Sequence, residues 1–139
     1  MNLTDNYFLV CPRKNLTSTS MEDKSIVGKK STIFAVAAVD LYRRILIPKK
    51  EYILSKQFLR SATSIGANIA EATGAYSKKE FSSKMSIAYK EARESAYWLD
   101  VLYQSGFISD VEFNNLYAEL TEINKILFSI LRTCHFNRK

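Results

Sequence analysis

The stretch "RSATSIGANIAEATGAYSKKEF", Arg60 to Phe81, decides the fold of this chain. Small side chains dominate it, Gly66 and Gly74 lie eight residues apart, and two lysines follow. A phosphate-binding loop needs the spacing G-x-x-x-x-G-K-[ST] directly after a buried strand, so that successive amides converge on the phosphate. The glycine spacing does not fit, and the preceding residues repeat with a helical period. The stretch therefore predicts a helix with an unusually small face.

The predicted helix has two apolar faces. Its larger apolar side chains repeat at helical spacing and are expected to face the core: Leu54, Phe58, Ile65 and Ile69. The roughly opposite face consists of small residues: Thr63, Gly66, Ala67, Ala70 and Gly74. Because a glycine inside a helix costs about 1 kcal/mol relative to alanine, this small face predicts a second close neighbour. The neighbour is another helix of the same chain or another subunit, and the second alternative makes the small face an oligomer interface.

A 3.6-residue apolar period extends from Lys29 onward and predicts four helices. They run from about Lys30 to Leu46, from about Glu51 to Ala75, from Ser77 to a stop at Gly106, and from Ser109 to about Cys134. Four helices with short connections bury their apolar faces most simply as an antiparallel, up-down-up-down four-helix bundle. The expected fold class is therefore all-α.

Two serines are expected to cap helices. Ser77 opens "SKKE", in which the Ser77 hydroxyl and the Glu80 carboxylate can each satisfy a backbone amide at the other's position. Ser109 precedes Asp110 and Glu112, whose negative charge is favourable beside the N-terminus of a helix.

The bulk composition is that of one globular domain. The chain has 139 residues, of which 47% are hydrophobic and 24% charged, with 4 Gly and 2 Pro. The expected division is a flexible polar tail at 1–23, the bundle at 24–135 and a C-terminal tail at 136–139, with Met21 as an alternative start of translation. No apolar run approaches the roughly 20 residues that cross a bilayer, so we expect a cytoplasmic protein without a membrane partner.

Metal and disulfide chemistry have little support. Cys11 and Cys134 are the two cysteines, and His135 is the single histidine. A disulfide framework is not expected, and the adjacent Cys134 and His135 provide too few ligands for a zinc site. The sequence therefore predicts no metal and no cofactor.

A set of polar residues is expected to link the second and third helices. Its members are Asn68, Glu71, Glu91 and Glu94. Di-metal carboxylate bundles need Glu-x-x-His motifs on two helices, and the sequence has none. We therefore interpret these residues as a structural polar network, in preference to a catalytic site.

Positive charge concentrates in one part of the chain. Lys and Arg number 20 against 14 Asp and Glu, a net charge of +6, and such a balance favours polyanionic partners. Six basic residues lie between Leu41 and Arg60, where Glu51 is the single acidic residue. The nucleic-acid hypothesis assigns the binding surface to these six: Arg43, Arg44, Lys49, Lys50, Lys56 and Arg60. The alternative is that they are ordinary solvated surface charges.

Four aromatic residues have the spacing expected for the core or its boundary: Tyr89, Tyr97, Trp98 and Tyr103. Proteins that stack nucleic-acid bases instead expose such side chains along a groove. We therefore expect no exposed stacking platform.

The segment from Leu54 to Ile108 resembles a known family. The resemblance extends from about Lys24 to Thr133 and is strongest in "RSATSIGANIAEA", "SKKEF" and "YWL". These stretches resemble the four-helix bundle proteins of the 23S ribosomal RNA intervening-sequence family, to which the accessory variability proteins of diversity-generating retroelements are related. The long polar N-terminus departs from the family pattern.

The resemblance implies a small bacterial helical bundle that assembles as a homo-oligomeric ring, commonly a pentamer, with a basic surface. The retroelement relatives are understood to bind nucleic acid and a reverse transcriptase. Residues that match the family's two signatures are Arg60, Ile65, Asn68, Ile69 and Glu71, then Lys78, Lys79, Glu80 and Phe81. The resemblance implies fold and assembly roles for the first group and no catalytic residue.

Two functions remain open. One is a non-enzymatic homo-oligomeric scaffold, expected as a pentamer, that binds RNA or DNA through a basic surface. The other is a protein-interaction module whose partner is a protein such as a reverse transcriptase, with no direct nucleic-acid role. An enzyme is not expected, because nucleophile–base pairs and paired catalytic carboxylates find no support in the residues.

Overall fold

Four α-helices make up the computed structural model, which describes residues 18–136 and the side chains of 26–135. The helices are α1, Ser18–Leu41; α2, Leu54–Thr73; α3, Lys78–Gln104; and α4, Asp110–Phe136. A π-helical turn, Tyr42–Leu46, continues α1. Residues 18–136 contain no β-strand. The predicted all-α class is confirmed.

Each helix packs against the helix before it, and α4 closes against α1. Two ion pairs show that α2 and α3 run in opposite directions: Arg60 with Glu94 at 2.7 Å, and Glu71 with Lys84 at 2.6 Å. The diagonal pairs of helices, α1 with α3 and α2 with α4, do not pack together. The molecule is thus a helical bundle in which the α1–α2 side lies opposite the α3–α4 side.

The core contains three of the four large apolar residues predicted to face it on α2. Phe58, Ile65 and Ile69 are fully buried, Leu54 is half-buried, and Phe34 of α1 meets Phe58 edge to face with ring centroids 6.2 Å apart. Apolar residues at helical spacing along α4 are also buried: Leu116, Leu120, Ile123, Leu127 and Ile130. Full burial of one such side chain contributes about 1.5–3 kcal/mol, so these faces hold the helices together.

The first helix begins at Ser18, well before the expected start near Lys30. Val27 and Ser31 are both fully buried, so the core-facing side of α1 continues on the N-terminal side of Phe34. The apolar period missed this extension because Ser31 is polar. Its hydroxyl donates to the Gly28 carbonyl at 2.8 Å, which satisfies it within its own helix.

The domain division at 1–23, 24–135 and 136–139 stays a prediction. Residues 1–17 and 137–139, which include Cys11 and parts of both predicted tails, lie outside the described residues.

Ser77 and Ser109 cap α3 and α4, as predicted. The Ser77 hydroxyl accepts from the Glu80 amide at 3.1 Å, whereas the Glu80 carboxylate accepts from the Tyr76 amide at 2.9 Å, one residue earlier than a regular capping box. At α4 the exchange is reciprocal. The Glu112 amide donates to the Ser109 hydroxyl at 3.3 Å, and the Ser109 amide donates to the Glu112 carboxylate at 2.7 Å.

Candidate nucleic-acid interface

The connection between α1 and α2 begins with a turn that holds a lysine in an unusual backbone conformation. The Glu51 amide donates to the Leu46 carbonyl at 3.1 Å and the Lys50 amide donates to the Ile47 carbonyl at 2.9 Å, the pattern of a Schellman motif. Lys50 is left-handed with φ of 57°. The same position after α3 is Gly106, with φ of 80°, the residue type that this conformation favours. For a residue with a side chain the conformation costs roughly 1–2 kcal/mol.

Glu51 then turns its side chain inward and caps α2. One carboxylate oxygen accepts from the amides of Ile53 and Leu54 at 3.1 and 2.9 Å, and the other accepts from the Ser55 amide at 2.6 Å. The residue is buried. Burial raises the pKa of the carboxyl group, but the hydrogen bonds from residues 53–55 lower it more, so the pKa lies below its ordinary value. The one acidic residue of the basic stretch is therefore ionised and directed away from the surface.

Four of the predicted nucleic-acid-binding residues form no salt bridge with a carboxylate in the described part of the chain. Arg43, Lys50 and Lys56 are exposed, and their side chains form no hydrogen bond or salt bridge with another described residue, although the positive charge of Arg43 helps to lower the pKa of Asp40. Lys49 donates to the Phe107 carbonyl at 2.7 Å, which ties the connection to the turn before α4. We call the surface formed by Arg43, Lys49, Lys50 and Lys56 the basic connection.

The other two predicted residues form exposed ion pairs. Arg44 donates to the Asp40 carboxylate at 2.6 and 2.8 Å, and this hydrogen bond holds the pKa of Asp40 below its ordinary value. Arg60 donates to Glu94 at 2.7 Å, and Glu94 also accepts from the Trp98 indole at 3.2 Å. Exposed ion pairs contribute little to stability because solvent and salt screen them, so a phosphate can compete with the carboxylate for either arginine.

The small face of α2 has a close neighbour at one position. A Cβ atom on Gly66 would lie 3.2 Å from the hydroxyl oxygen of Ser31, so α1 of the same chain approaches the helix there. The remaining residues of the predicted oligomer interface are exposed: Thr63, Ala67, Ala70 and Gly74. The intrachain crossing explains Gly66, while the rest of the face has no partner within the described residues.

An apolar groove runs beside this crossing. It has a volume of about 320 Å³ and is lined by Ala35, Val36 and Val39 of α1 and by Thr63 and Ala67 of α2, among others. Val36 is 64% exposed and Val39 is 39% exposed. We call it the α1–α2 groove.

A larger groove lies on the opposite side of the bundle. The α3–α4 groove has a volume of about 910 Å³, and its exposed aromatic side chains are Tyr97, Tyr117 and Phe128. Arg93 and Lys125 also line it. Sequence reasoning missed this groove because it depends on which residues of α4 face α3.

One of the four aromatic residues expected at the core or its boundary is exposed instead. Tyr89, Trp98 and Tyr103 are half-buried, as their spacing suggests, but Tyr97 is 60% exposed. The ring of Tyr89 also lies against Phe128 of α4, with centroids 6.3 Å apart. Boundary positions on two neighbouring helices thus combine into one aromatic groove.

The four residues of the predicted polar network make separate contacts. Glu94 pairs with Arg60, and Glu71 pairs with Lys84. Asn68 donates to the Ser64 carbonyl of its own helix at 2.8 Å, and one carboxylate oxygen of Glu91 is buried without a hydrogen-bond partner. No hydrogen bond joins the four to one another. The buried polar contact between these helices comes instead from two hydroxyl groups, Ser61 and Ser95, at 2.9 Å.

The side chains of 26–135 hold no group of three or more His, Cys, Asp and Glu that could bind a metal ion. The unpaired carboxylates of Glu91 and Glu119 belong to different helices and come with no third ligand. None of the described helices is both long and apolar enough to cross a membrane.

Comparison with known proteins identifies the family. The family model described as 23S rRNA-intervening sequence protein matches residues 23–129. The chain belongs to this family. The match includes most of the bundle and all of the basic connection, so the resemblance drawn from the sequence is confirmed.

One solved structure of the family is similar throughout. It is a protein of unknown function from the S23 ribosomal protein family of Bacteroides thetaiotaomicron, with 44% sequence identity and a TM-score of 0.77. The similarity covers 79% of this chain and 98% of that one. No curated protein matches the chain.

Proposed function

We propose that this chain is a non-enzymatic, homo-oligomeric helical scaffold that binds RNA or DNA through the basic connection. The placement of charge between α1 and α2 carries the proposal. Glu51 is directed inward as a helix cap, and Lys50 and Lys56 have no carboxylate partner among the described residues. This end of the bundle therefore presents positive charge that a polyanion can neutralise.

The proposed phosphate contacts should make binding strongly dependent on salt. Lysine and arginine that neutralise phosphates release counterions, so the affinity falls steeply with salt concentration. Each protomer offers a few such contacts, and an assembly repeats them on one particle. A long nucleic acid can then bind several protomers at once, which multiplies weak contacts into useful affinity.

The proposed assembly joins the α1–α2 groove of one copy to the α3–α4 groove of the next. Both grooves are exposed and lie on opposite sides of the bundle; the first is apolar, and the second combines aromatic with polar and charged side chains. Surfaces of this kind mark interaction sites. The first is narrow and lined by small side chains, whereas the second presents aromatic rings such as Phe128. A head-to-tail contact covers both grooves and closes into a ring, such as a pentamer, where its rotation permits.

The second candidate function is a protein-interaction module, for example for a polymerase or reverse transcriptase. The α3–α4 groove favours it, because its width and exposed aromatic residues suit a helix or loop of a protein partner. Under this alternative the basic connection is incidental. A partner complex that is insensitive to salt, with no binding of nucleic acid at moderate ionic strength, distinguishes the two functions.

The experiment that tests the proposal reverses charge in the basic connection. The variant Lys50→Glu/Lys56→Glu is titrated with a fluorescently labelled RNA and a labelled DNA at several salt concentrations. We expect weaker binding, and we expect the slope of log affinity against log salt to decrease by about 1 for each lost phosphate contact. Circular dichroism verifies that the helices are retained.

A matched control reverses two lysines at the other end of the bundle. Lys78→Glu/Lys79→Glu makes the same change in charge in the first turn of α3. If both double variants weaken binding equally, net charge alone is responsible and the proposed surface is wrong.

A further inference from the structure

The basic connection carries exposed apolar side chains between its cations. Ile53 is 78% exposed, Tyr52 is 45% exposed and Ile47 is 39% exposed. All three lie within the ten residues that also contain Lys49, Lys50 and Lys56. An isolated exposed isoleucine needs no explanation, but three apolar side chains interleaved with cations form a mixed surface.

The backbone holds this mixed surface in a fixed geometry. The turn at Lys50, the three amides bound by Glu51 and the hydrogen bond from Lys49 to Phe107 all fall within or beside it. Tyr52 lies between two residues whose amides are hydrogen-bonded: the Glu51 amide donates to the Leu46 carbonyl and the Ile53 amide donates to the Glu51 carboxylate. Such preorganisation reduces the entropy lost when a ligand orders the surface.

We propose that the basic connection binds unpaired nucleotides, with Tyr52 stacked on a base, Ile53 against the next base or sugar, and Lys50 and Lys56 on the phosphates. This inference rests on the proposed function and specifies its ligand. A duplex buries the faces of its bases and offers mainly phosphates to a surface without an inserted helix, so it leaves Tyr52 and Ile53 without partners. Single strands offer phosphates and base faces together.

The test separates stacking from charge by using three variants and two nucleic acids. Tyr52→Ala, Tyr52→Phe and Lys50→Glu/Lys56→Glu are titrated with a labelled oligouridine of about 16 nucleotides and with a duplex of the same length. Since stacking contributes about 1–3 kcal/mol per base, Tyr52→Ala should weaken oligouridine binding roughly 5- to 150-fold. Duplex binding should stay unchanged, and Tyr52→Phe should retain most of the affinity because it keeps the ring.

The position control is Tyr76→Ala, which removes a 93% exposed tyrosine beside Lys78 and Lys79 at the other end of the bundle. If Tyr76→Ala weakens oligouridine binding as much as Tyr52→Ala does, the placement of the site is wrong. Equal loss for oligouridine and duplex in Tyr52→Ala would overturn the preference for unpaired nucleotides while leaving the proposed function intact.

Two other results would contradict the proposed function itself. In one, the wild-type protein binds neither oligouridine nor the duplex; in the other, the charge-reversed variant binds both as tightly as wild type. The same proteins are also sedimented with vesicles of phosphatidylcholine and phosphatidylserine. Vesicle binding that depends on Tyr52, without oligouridine binding, would overturn the proposal in favour of an anionic membrane surface.

Discussion

Glu51 shows why the charge of a stretch cannot be read by counting residues. In the sequence it is the single acid among six bases, and a count of charges subtracts it from them. In the folded chain its carboxylate accepts three backbone N–H groups at the start of α2. Such a cap satisfies amides that have no partner within the helix. The surface charge of the connection is therefore more positive than its composition suggests.

Replacement of Glu51 by Gln should destabilise the protein by about 1–2 kcal/mol near neutral pH, because the amide is a weaker cap. The pKa of Glu51 is lower in the folded chain than its ordinary value. Its charge therefore stabilises the fold above the unfolded pKa of about 4.3, and this stabilisation is lost as the pH falls through the folded pKa. Urea denaturation should show that Glu51→Gln loses less stability than wild type between about pH 5 and pH 3.

Glu112→Gln is the control, because Glu112 accepts one N–H, from Ser109, in an exposed capping box. At neutral pH, Glu112→Gln should lower the free energy of unfolding by less than Glu51→Gln does. The role assigned to the Glu51 cap would be contradicted if both variants lost the same free energy of unfolding. It would also be contradicted if Glu51→Gln lost as much stability as wild type on acidification.

Helix α2 shows which structural features its own sequence predicts and which depend on distant parts of the chain. Its core face was predictable, because Phe58, Ile65 and Ile69 recur at the helical period and burial follows that period. The contacts of α2 with neighbouring helices could not be predicted. The contact between Gly66 and Ser31, and the pair of Arg60 with Glu94, join positions far apart in the chain, so no spacing within one helix encodes them.

Gly66→Leu should weaken the crossing of α1 and α2. In an Ala67→Arg background, which keeps protomers apart under the proposed assembly, it should lower the free energy of unfolding by up to about 2 kcal/mol. The overpacking against Ser31 costs about 1–3 kcal/mol, and the better helix propensity of leucine offsets roughly 1 kcal/mol of it. Urea denaturation measures the difference.

Ala70→Leu in the same background is the matched control. Ala70 is exposed on the same face of α2, so its replacement should change stability by less than about 0.5 kcal/mol. If the two leucine variants are equally stable, α1 does not constrain the position of Gly66.

The α1–α2 groove and the α3–α4 groove lie on opposite sides of the described bundle, and no single helix predicts either of them. The bundle itself could be inferred from four amphipathic patterns and two serine caps. The α3–α4 groove could not, because Tyr97 and Phe128 look like boundary residues until α3 and α4 are placed side by side. The sequence likewise led to an interface on the small face alone, with no partner surface.

Mixing two blocked variants should reveal how copies join. Ala67→Arg blocks the α1–α2 groove and Phe128→Arg blocks the α3–α4 groove, so each variant alone should be monomeric by size-exclusion chromatography with light scattering. Each retains the groove that the other lacks. An equimolar mixture should therefore form a dimer of one copy of each, since a head-to-tail contact can form once and cannot repeat.

Wild type should form the larger closed assembly in the same measurement. Two results would contradict head-to-tail joining: a wild-type protein that is monomeric at all concentrations, or blocked variants that assemble normally without being mixed. A mixture that stays monomeric would indicate that the two grooves do not bind each other.

Lys49 links the two connections at one end of the bundle, because its ammonium group donates to the Phe107 carbonyl just before α4. Under the proposed function, a bound polyanion would compete for that ammonium group. If the ammonium group turned toward a phosphate, the Phe107 carbonyl would exchange its side-chain donor for water. A spectroscopic probe in the α3–α4 turn would then respond to nucleic acid bound at the α1–α2 connection.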